Sequence, residues 1–232
     1  MAMRPKKTGI LLPMRVWDAA TRLFHWSLVL LVALSYVSIS LADGPNASLW
    51  MKIHFISGET ILALLLFRII WGVIGSETAR FHRFLRSPIK ALHHLAALLK
   101  REPDTEVGHN AAGGWMVLLL LALLLAQVVT GLVSNDDGIN EGPLAKFVTK
   151  SLSDQLSNWH GILFNVLAAL IATHVLAVIA YLVLKGQNLV RPMFTGKKRL
   201  PAATKSPRMA SQLLAVAVLA FATAVTVTLS RL

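Results

Sequence analysis

Five long apolar stretches dominate this 232-residue chain, at about Leu23 to Leu41, Ile53 to Ile74, Trp115 to Val133, Ile162 to Leu184 and Leu213 to Leu229. A bilayer core is crossed by roughly 20 consecutive apolar residues in α-helix. In lipid each backbone N–H and C=O must be satisfied within its own segment, so stretches of this length become helices. The pattern predicts an all-α membrane protein. Composition agrees: 55% of residues are hydrophobic and only 15% charged, where soluble domains carry about a quarter. Lys and Arg number 23 against 11 Asp and Glu, a net charge of +12. A chain this apolar and this basic is either a membrane protein with basic loops or a nucleic-acid binder. The second class needs its cations on a solvated face, and too little polar sequence is present to build one. Cysteine is absent, which excludes disulfides, iron–sulfur ligation, thiolate catalysis and Cys-based zinc sites.

The basic residues set an orientation, because Lys and Arg collect in cytoplasmic loops. The N-terminus holds Arg4, Lys6, Lys7 and Arg15. The second connection holds Arg80, Arg83, Arg86, Lys90, Lys100 and Arg101, and the fourth Lys185, Arg191, Lys197, Lys198, Arg199, Lys205 and Arg208. These segments contain 17 of the 23 basic residues, so the net charge is a topology signal. The first connection has a single charge, Asp43, and the third sets Lys146 and Lys150 against Asp136, Asp137, Glu141 and Asp154. A cytoplasmic N-terminus follows, with the C-terminus outside after the fifth span. The first span is too long for a cleavable signal and has no small-residue site after it, so a retained helix is expected. In the second connection, Ser87 and Pro88 read as N-cap and first helical residue. Ile89, Leu92, Leu95, Leu98 and Leu99 then recur at helical spacing, predicting a short interfacial helix in which His93 and His94 face solvent or headgroups.

Ionisable residues inside a span are costly and are functional candidates by default. His25 lies near the cytoplasmic end of the first span, and His54 near the outer end of the second. His160 lies at the outer end of the fourth, and His174 fourteen residues further on. Fourteen residues at 100° fall about 40° short of four full turns and rise about 21 Å, so His160 and His174 share a helix face at two depths. Pairing by depth puts His54 with His160 on the outer side and His25 with His174 towards the cytoplasm. Two histidine pairs at two levels of a helical bundle match two bis-histidine haems, whose irons take imidazoles from opposite sides. Gly161 and Gly58, beside the ligands, let a flat macrocycle approach the backbone. Arg22, one turn before His25, and Arg68, fourteen residues after His54, are propionate partners on this reading. Glu59 reads equally as a partner of a ligand imidazole, as part of a proton or quinone path, or as a snorkelling side chain. His109, among glycines at the cytoplasmic start of the third span, reads as a propionate partner, a proton acceptor at a quinone site or a surface residue. The competing reading is a polytopic transporter of a divalent metal, with the membrane histidines as its ligands. Such sites usually add midplane carboxylates, and here only Glu59 is available. No nucleophile, general-base pair or nucleotide motif is present, so no catalytic residue is assigned.

Several of these segments also resemble a known family. Val16-Trp17-Asp18 through Thr21-Arg22-Leu23-Phe24-His25-Trp26 is similar to the opening of the bacterial cytochrome b561 family. That grouping includes the b-type cytochrome subunit of nickel–iron hydrogenases. His54 with Gly58, and Phe67-Arg68-Ile69-Ile70-Trp71-Gly72, resemble its second helix. Gly108-His109-Asn110-Ala111-Ala112-Gly113-Gly114-Trp115 resembles the start of its third. Asn158-Trp159-His160-Gly161 and Thr173-His174 resemble its fourth, and Asn188 through Gly196 the segment after it. The resemblance spans about residues 14 to 200. It implies a four-helix transmembrane bundle holding two b haems on His25, His54, His160 and His174, in a bacterial inner-membrane, multi-pass protein. It also implies electron transfer between a partner redox protein, such as a c-type cytochrome or a hydrogenase-like subunit, and the quinone pool of the respiratory chain. The expected organisation is a di-haem domain over 1–196, a basic cytoplasmic linker over 197–211 and an additional transmembrane helix over 212–232. That last helix is extra to the four-helix core and is a candidate to anchor a partner or an oligomer.

Overall fold

The computed structural model describes residues 10–96, 105–137 and 140–232. Arg4, Lys6, Lys7, Leu98, Leu99, Lys100 and Arg101 lie outside the described residues, as do the side chains of His94 and Leu95. Five helices are long and apolar enough to cross a membrane: α1 (Ala19–Leu41), α2 (Ala47–Ile74), α5 (Ala111–Leu132), α6 (Lys150–Lys185) and α8 (Gln212–Ser230). Each matches one of the five apolar stretches. Three short helices lie at the basic end: α3 (Phe81–Phe84), α4 (Pro88–Ala96) and α7 (Val190–Thr195). Pro88 opens α4, as its fixed φ favours, and Ile89 and Leu92 on it are exposed, as an interfacial helix requires.

Side-chain caps define where the long helices start. Asp18 accepts the Thr21 N–H at the head of α1, and Asn110 accepts the Gly113 N–H at the head of α5. Thr149 and Ser211 do the same for α6 and α8. Each bond satisfies one of the orphan donors of a first turn. α6 has 36 residues, about 54 Å at 1.5 Å per residue, well beyond a hydrocarbon core of about 30 Å. Its first three turns are polar and carry no hydropathy signal, so the helix begins twelve residues before the apolar stretch. His160 therefore sits well inside it.

α2 is the hub of the bundle, packed against α1, α5 and α8, while α5 packs on α6 and α4. Ile61, Leu62 and Leu65 of α2 meet Leu124, Val128 and Leu167 in the centre. Phe24, Phe67 and Trp71 form a second core with Ala215, Val218 and Ala222 of α8. Small residues on the α8 face let the two backbones approach, the usual source of helix association in lipid. A turn before α8 is also tied to the end of α2. The Glu77 N–H donates to the Arg208 carbonyl at 2.9 Å, the Arg208 N–H returns to the Glu77 carboxylate at 3.0 Å, and the Ala210 N–H reaches the Ser76 hydroxyl at 2.9 Å.

A two-stranded antiparallel sheet at the basic end had no counterpart in the sequence reading. β1 (Leu11–Arg15) pairs with β2 (Lys197–Pro201) in the register Leu11 to Pro201 and Arg15 to Lys197. The first five residues of the basic linker thus return to the chain's beginning, and Met14, Val16, Trp17 and Leu200 bury a small core beneath them. Neither strand alternates clearly between apolar and polar residues, so only the pairing partner makes either segment extended.

Two predictions follow from this packing. At Gly114 an added Cβ would lie 2.7 Å from the Phe84 carbonyl oxygen. Gly114→Ala forces α5 away from α3, at a cost of about 1–3 kcal/mol for overpacking, which should lower the thermal-unfolding midpoint in detergent. The Glu77 carboxyl is held below its ordinary pKa by the Arg208 N–H, and beyond that by Arg83, Arg208 and Lys205. A depressed carboxyl pKa stabilises above the unfolded value, about 4.3, and that stability is lost as pH falls through the lowered folded value. Acid titration of stability should show this loss, and Glu77→Gln should remove it.

Candidate functional site

The geometry is clearest at the end of the bundle opposite the basic loops. His54 and His160 face each other across it with ring centres 6.3 Å apart and planes at 84°. An imidazole nitrogen ligates a metal at about 2.0–2.1 Å, and the ring centre lies roughly 1 Å behind that nitrogen. Two imidazoles sharing one iron from opposite sides therefore sit about 6 Å apart, centre to centre. The observed spacing fits one iron between them. The other ring nitrogens are occupied. Nδ1 of His54 lies 3.0 Å from the Ser35 carbonyl, and Nδ1 of His160 lies 2.9 Å from the Gln127 carbonyl. Carbonyls only accept, so each Nδ1 carries the proton and each Nε2 carries the lone pair. In His160 that lone pair accepts from the Gln127 amide and would have to exchange that bond for a metal.

The pair opens into a cavity of about 330 Å³ whose walls include Ser35, Tyr36, Gly58, Glu59, Gln127 and Gly161. A Cβ added at Gly58 or Gly161 would meet nothing within 4 Å. Both glycines, singled out from sequence as a cradle, border open space where a flat ring can lie. Three residues were missed in the sequence. Gln127 supplies the carbonyl for His160, and its amide donates to Nε2 of the same ring at 3.2 Å, while its own Oε1 is buried without a partner. Thr130 sets its hydroxyl 3.1 Å from Nδ1 of His160. At Gly131 an added Cβ would stand 2.8 Å from Cε1 of His160, so a larger residue would displace the ring. All three lie on α5, which has no candidate ligand of its own. The one signal available in the sequence was their polar or small character within an otherwise Leu- and Val-rich span.

At the basic end, His25 and His174 lie within electrostatic reach of one another and of His109. His109 packs between the rings of Trp17 and Phe84, at 4.7 and 4.8 Å. Burial, and beyond it the charges of Arg68, His174 and His25, lower its pKa to about 3, so it is neutral near pH 7. Arg68 is 2% exposed and stacks on Phe81 at 4.8 Å. Nδ1 of His25, Nη1 of Arg68 and Nδ1 of His109 are all buried without a hydrogen-bond partner. Unpaired buried polar groups are costly, and a guest that brings a metal and anionic oxygens would satisfy these. A haem with its two propionates fits that description.

Arg22 is placed differently. Its guanidinium donates to the Phe194 carbonyl, and its Nε to the Asp18 carbonyl at 3.3 Å. With the Trp26 indole, which donates to the Met193 carbonyl at 3.1 Å and stacks on Phe194 at 4.4 Å, it fastens α7 to α1. Gly196 closes this clamp with φ +73°, where its carbonyl accepts from the Val16 and Trp17 N–H groups. Asp18 faces the other way, its carboxylate accepting from the Trp71 indole at 3.3 Å. His93 is exposed on α4. Among the described residues, no three His, Cys, Asp or Glu side chains converge as a metal-ion site. The two paired imidazoles fall short of the three or four protein ligands that zinc takes.

Comparison with known proteins shows the family. The family model for prokaryotic cytochrome b561 matches residues 16–196. A probable Ni/Fe-hydrogenase B-type cytochrome subunit from Bradyrhizobium diazoefficiens is 24% identical over 212 residues, covering 79% of this chain and 85% of its own. A probable superoxide oxidase CybB from Yersinia pestis is 28% identical over 177 residues, covering 73% of this chain and 90% of its own. With five apolar helices, paired imidazoles in the bundle and a family match across most of its length, the chain belongs to the prokaryotic cytochrome b561 family, as a haem-binding, multi-pass membrane cytochrome of electron transport.

Proposed function

We propose that the protein is a di-haem electron wire across the bacterial inner membrane. The single observation that supports this reading is the His54–His160 ring pair, 6.3 Å apart, with His25 and His174 within electrostatic reach of one another at the other end of the bundle. His54 and His160 would hold one b haem, and His25 and His174 the other. The orientation is the one the basic loops favour, with the N-terminus and the His25–His174 level towards the cytoplasm.

Bound haem iron supplies one-electron redox chemistry. The chain's residues do the rest. The Ser35 and Gln127 carbonyls hold the His54 and His160 protons on Nδ1 and so aim both Nε2 atoms into the cavity. Arg68 and His109 offer unpaired nitrogens to propionate oxygens at the other level. The apolar core between the levels, Ile61, Leu65, Leu124 and Leu167 among others, keeps water away from the path. A quinone is the membrane-soluble partner, and a redox protein at one face is the other. The hydrogenase-type name of one relative supports a partner subunit, and a c-type cytochrome would serve equally. The chain's own chemistry is then limited to quinone reduction or quinol oxidation.

Purified protein should carry about two b haems per chain by pyridine haemochrome. His160→Ala should remove mainly the haem at the outer level and His174→Ala mainly the other. Two haems retained in either variant would show the pairing to be wrong, and none in the parent protein would remove the reading altogether. Gly131→Ala, which pushes on the His160 ring, should lower the occupancy of the outer haem alone.

A further inference from the structure

Pairing β1 with β2 sets like charges face to face. Arg15 stands directly opposite Lys197 in the antiparallel register, and Arg199 lies two residues further along the same face. All three are exposed. The other face of the ribbon is the buried one, where Met14 and Leu200 join the small core. Like charges directly opposite each other destabilise a strand pair, and no carboxylate offsets them here. Among the described residues Arg15, Lys197 and Arg199 have no ion-pair partner. The described acidic residues of this end are engaged elsewhere: Asp18 caps α1, Glu77 pairs with Arg83, and Glu106 pairs with Arg86.

These cations adjoin the lipid-facing side of a spanning helix. Arg15 lies just before α1, and Lys197 just after α7. On α7, Val190 and Phe194 are one turn apart and exposed, at 40% and 59%. Phe194 stacks on Trp26 of α1 at 4.4 Å, which sets α7 against the spanning segment. An apolar strip at that place, bordered by unpaired cations, suits an amphiphile with an anionic head. We propose that this patch binds an anionic phospholipid of the leaflet at the basic end. Arg15, Lys197 and Arg199 take the phosphate and headgroup oxygens, and Val190 and Phe194 the start of an acyl chain. The headgroup charge then holds together two strands that repel each other without it. An acidic protein segment would meet the cations and leave the apolar strip uncovered. The inference goes beyond the electron-transfer reading and does not depend on it.

The test is native mass spectrometry of the purified full-length protein in an uncharged detergent. It is titrated with dioleoylphosphatidylglycerol, dioleoylphosphatidylcholine or inorganic phosphate, and the thermal-unfolding midpoint is recorded on the same samples. A cation at an anionic lipid surface is worth about fivefold in affinity. Phosphatidylglycerol should therefore bind about tenfold or more tighter than phosphatidylcholine and raise the midpoint. Lys197→Glu gives Arg15 a cross-strand partner, so without lipid its midpoint should be no lower than the parent's, while the preference for phosphatidylglycerol disappears. Arg199→Gln, outside that pair, should lose about fivefold. Lys52→Gln with Lys146→Gln, exposed cations of the opposite end, should keep the parent's preference. The proposal is overturned if the parent prefers phosphatidylglycerol by less than about threefold, or if Lys197→Glu and Arg199→Gln keep the preference. An equal loss in the Lys52–Lys146 variant overturns it too, as does inorganic phosphate binding as tightly as phosphatidylglycerol.

Discussion

A neutral imidazole in a bilayer has one N–H to satisfy and one lone pair to offer, and the bundle is organised around that fact. At the end away from the basic loops the protons of His54 and His160 are both given to backbone carbonyls, of Ser35 in α1 and Gln127 in α5. The carbonyl of a helical residue is normally committed to the helix, but it has a second lone pair, and here that second acceptor site orients a ring on a neighbouring helix. Each histidine is thereby fixed by a helix other than its own. α1 holds the His54 ring and α5 the His160 ring, so a change in the spacing of these helices would be felt at both imidazoles. This is why α5, without a candidate ligand, contributes Gln127, Thr130 and Gly131 to the site.

The basic end is built on the opposite principle. There the donors outnumber their partners, and His25, Arg68 and His109 keep unbonded nitrogens among Trp17, Phe81 and Phe84. Such a cluster is tolerated only where its surroundings are held rigidly. Arg22, Trp26 and Gly196 lock α7 to α1, β2 pairs with β1, and Asp18 caps α1 while accepting from Trp71 of α2. A polar scaffold at the membrane edge thus supports a polar, unsatisfied interior. α8 lies beyond the matched region of 16–196, yet it buries Ala215, Val218 and Ala222 against Phe67 and Trp71. It braces the face of α2 that turns away from α5.

Much of the site was legible from residue type and spacing. The fourteen-residue interval between His160 and His174 placed two candidate ligands on one face at two depths. The glycines at 58 and 161 do border open space. Arg22 shows the limit of spacing arguments. One turn from His25, it was expected at a propionate, and the fold directs it to the Phe194 carbonyl 172 residues away. Helical spacing gives the face of a side chain, but a long, flexible arginine is drawn to whichever acceptor its neighbours present. The β1–β2 pair and the polar start of α6 were missed because neither has a hydropathy signature of its own.

By itself the sequence determined how many helices cross the membrane, which end collects the cations, and the depth of each histidine. All three follow from local composition and from the fixed rise of a helix in lipid. Only the tertiary structure decided which nitrogen of His54 and of His160 carries the proton, that Arg68 and His109 keep unpaired nitrogens, and that Glu59 lines the His54–His160 cavity. These depend on what a neighbouring helix, distant in sequence, presents at the same depth, and no spacing within one segment encodes that.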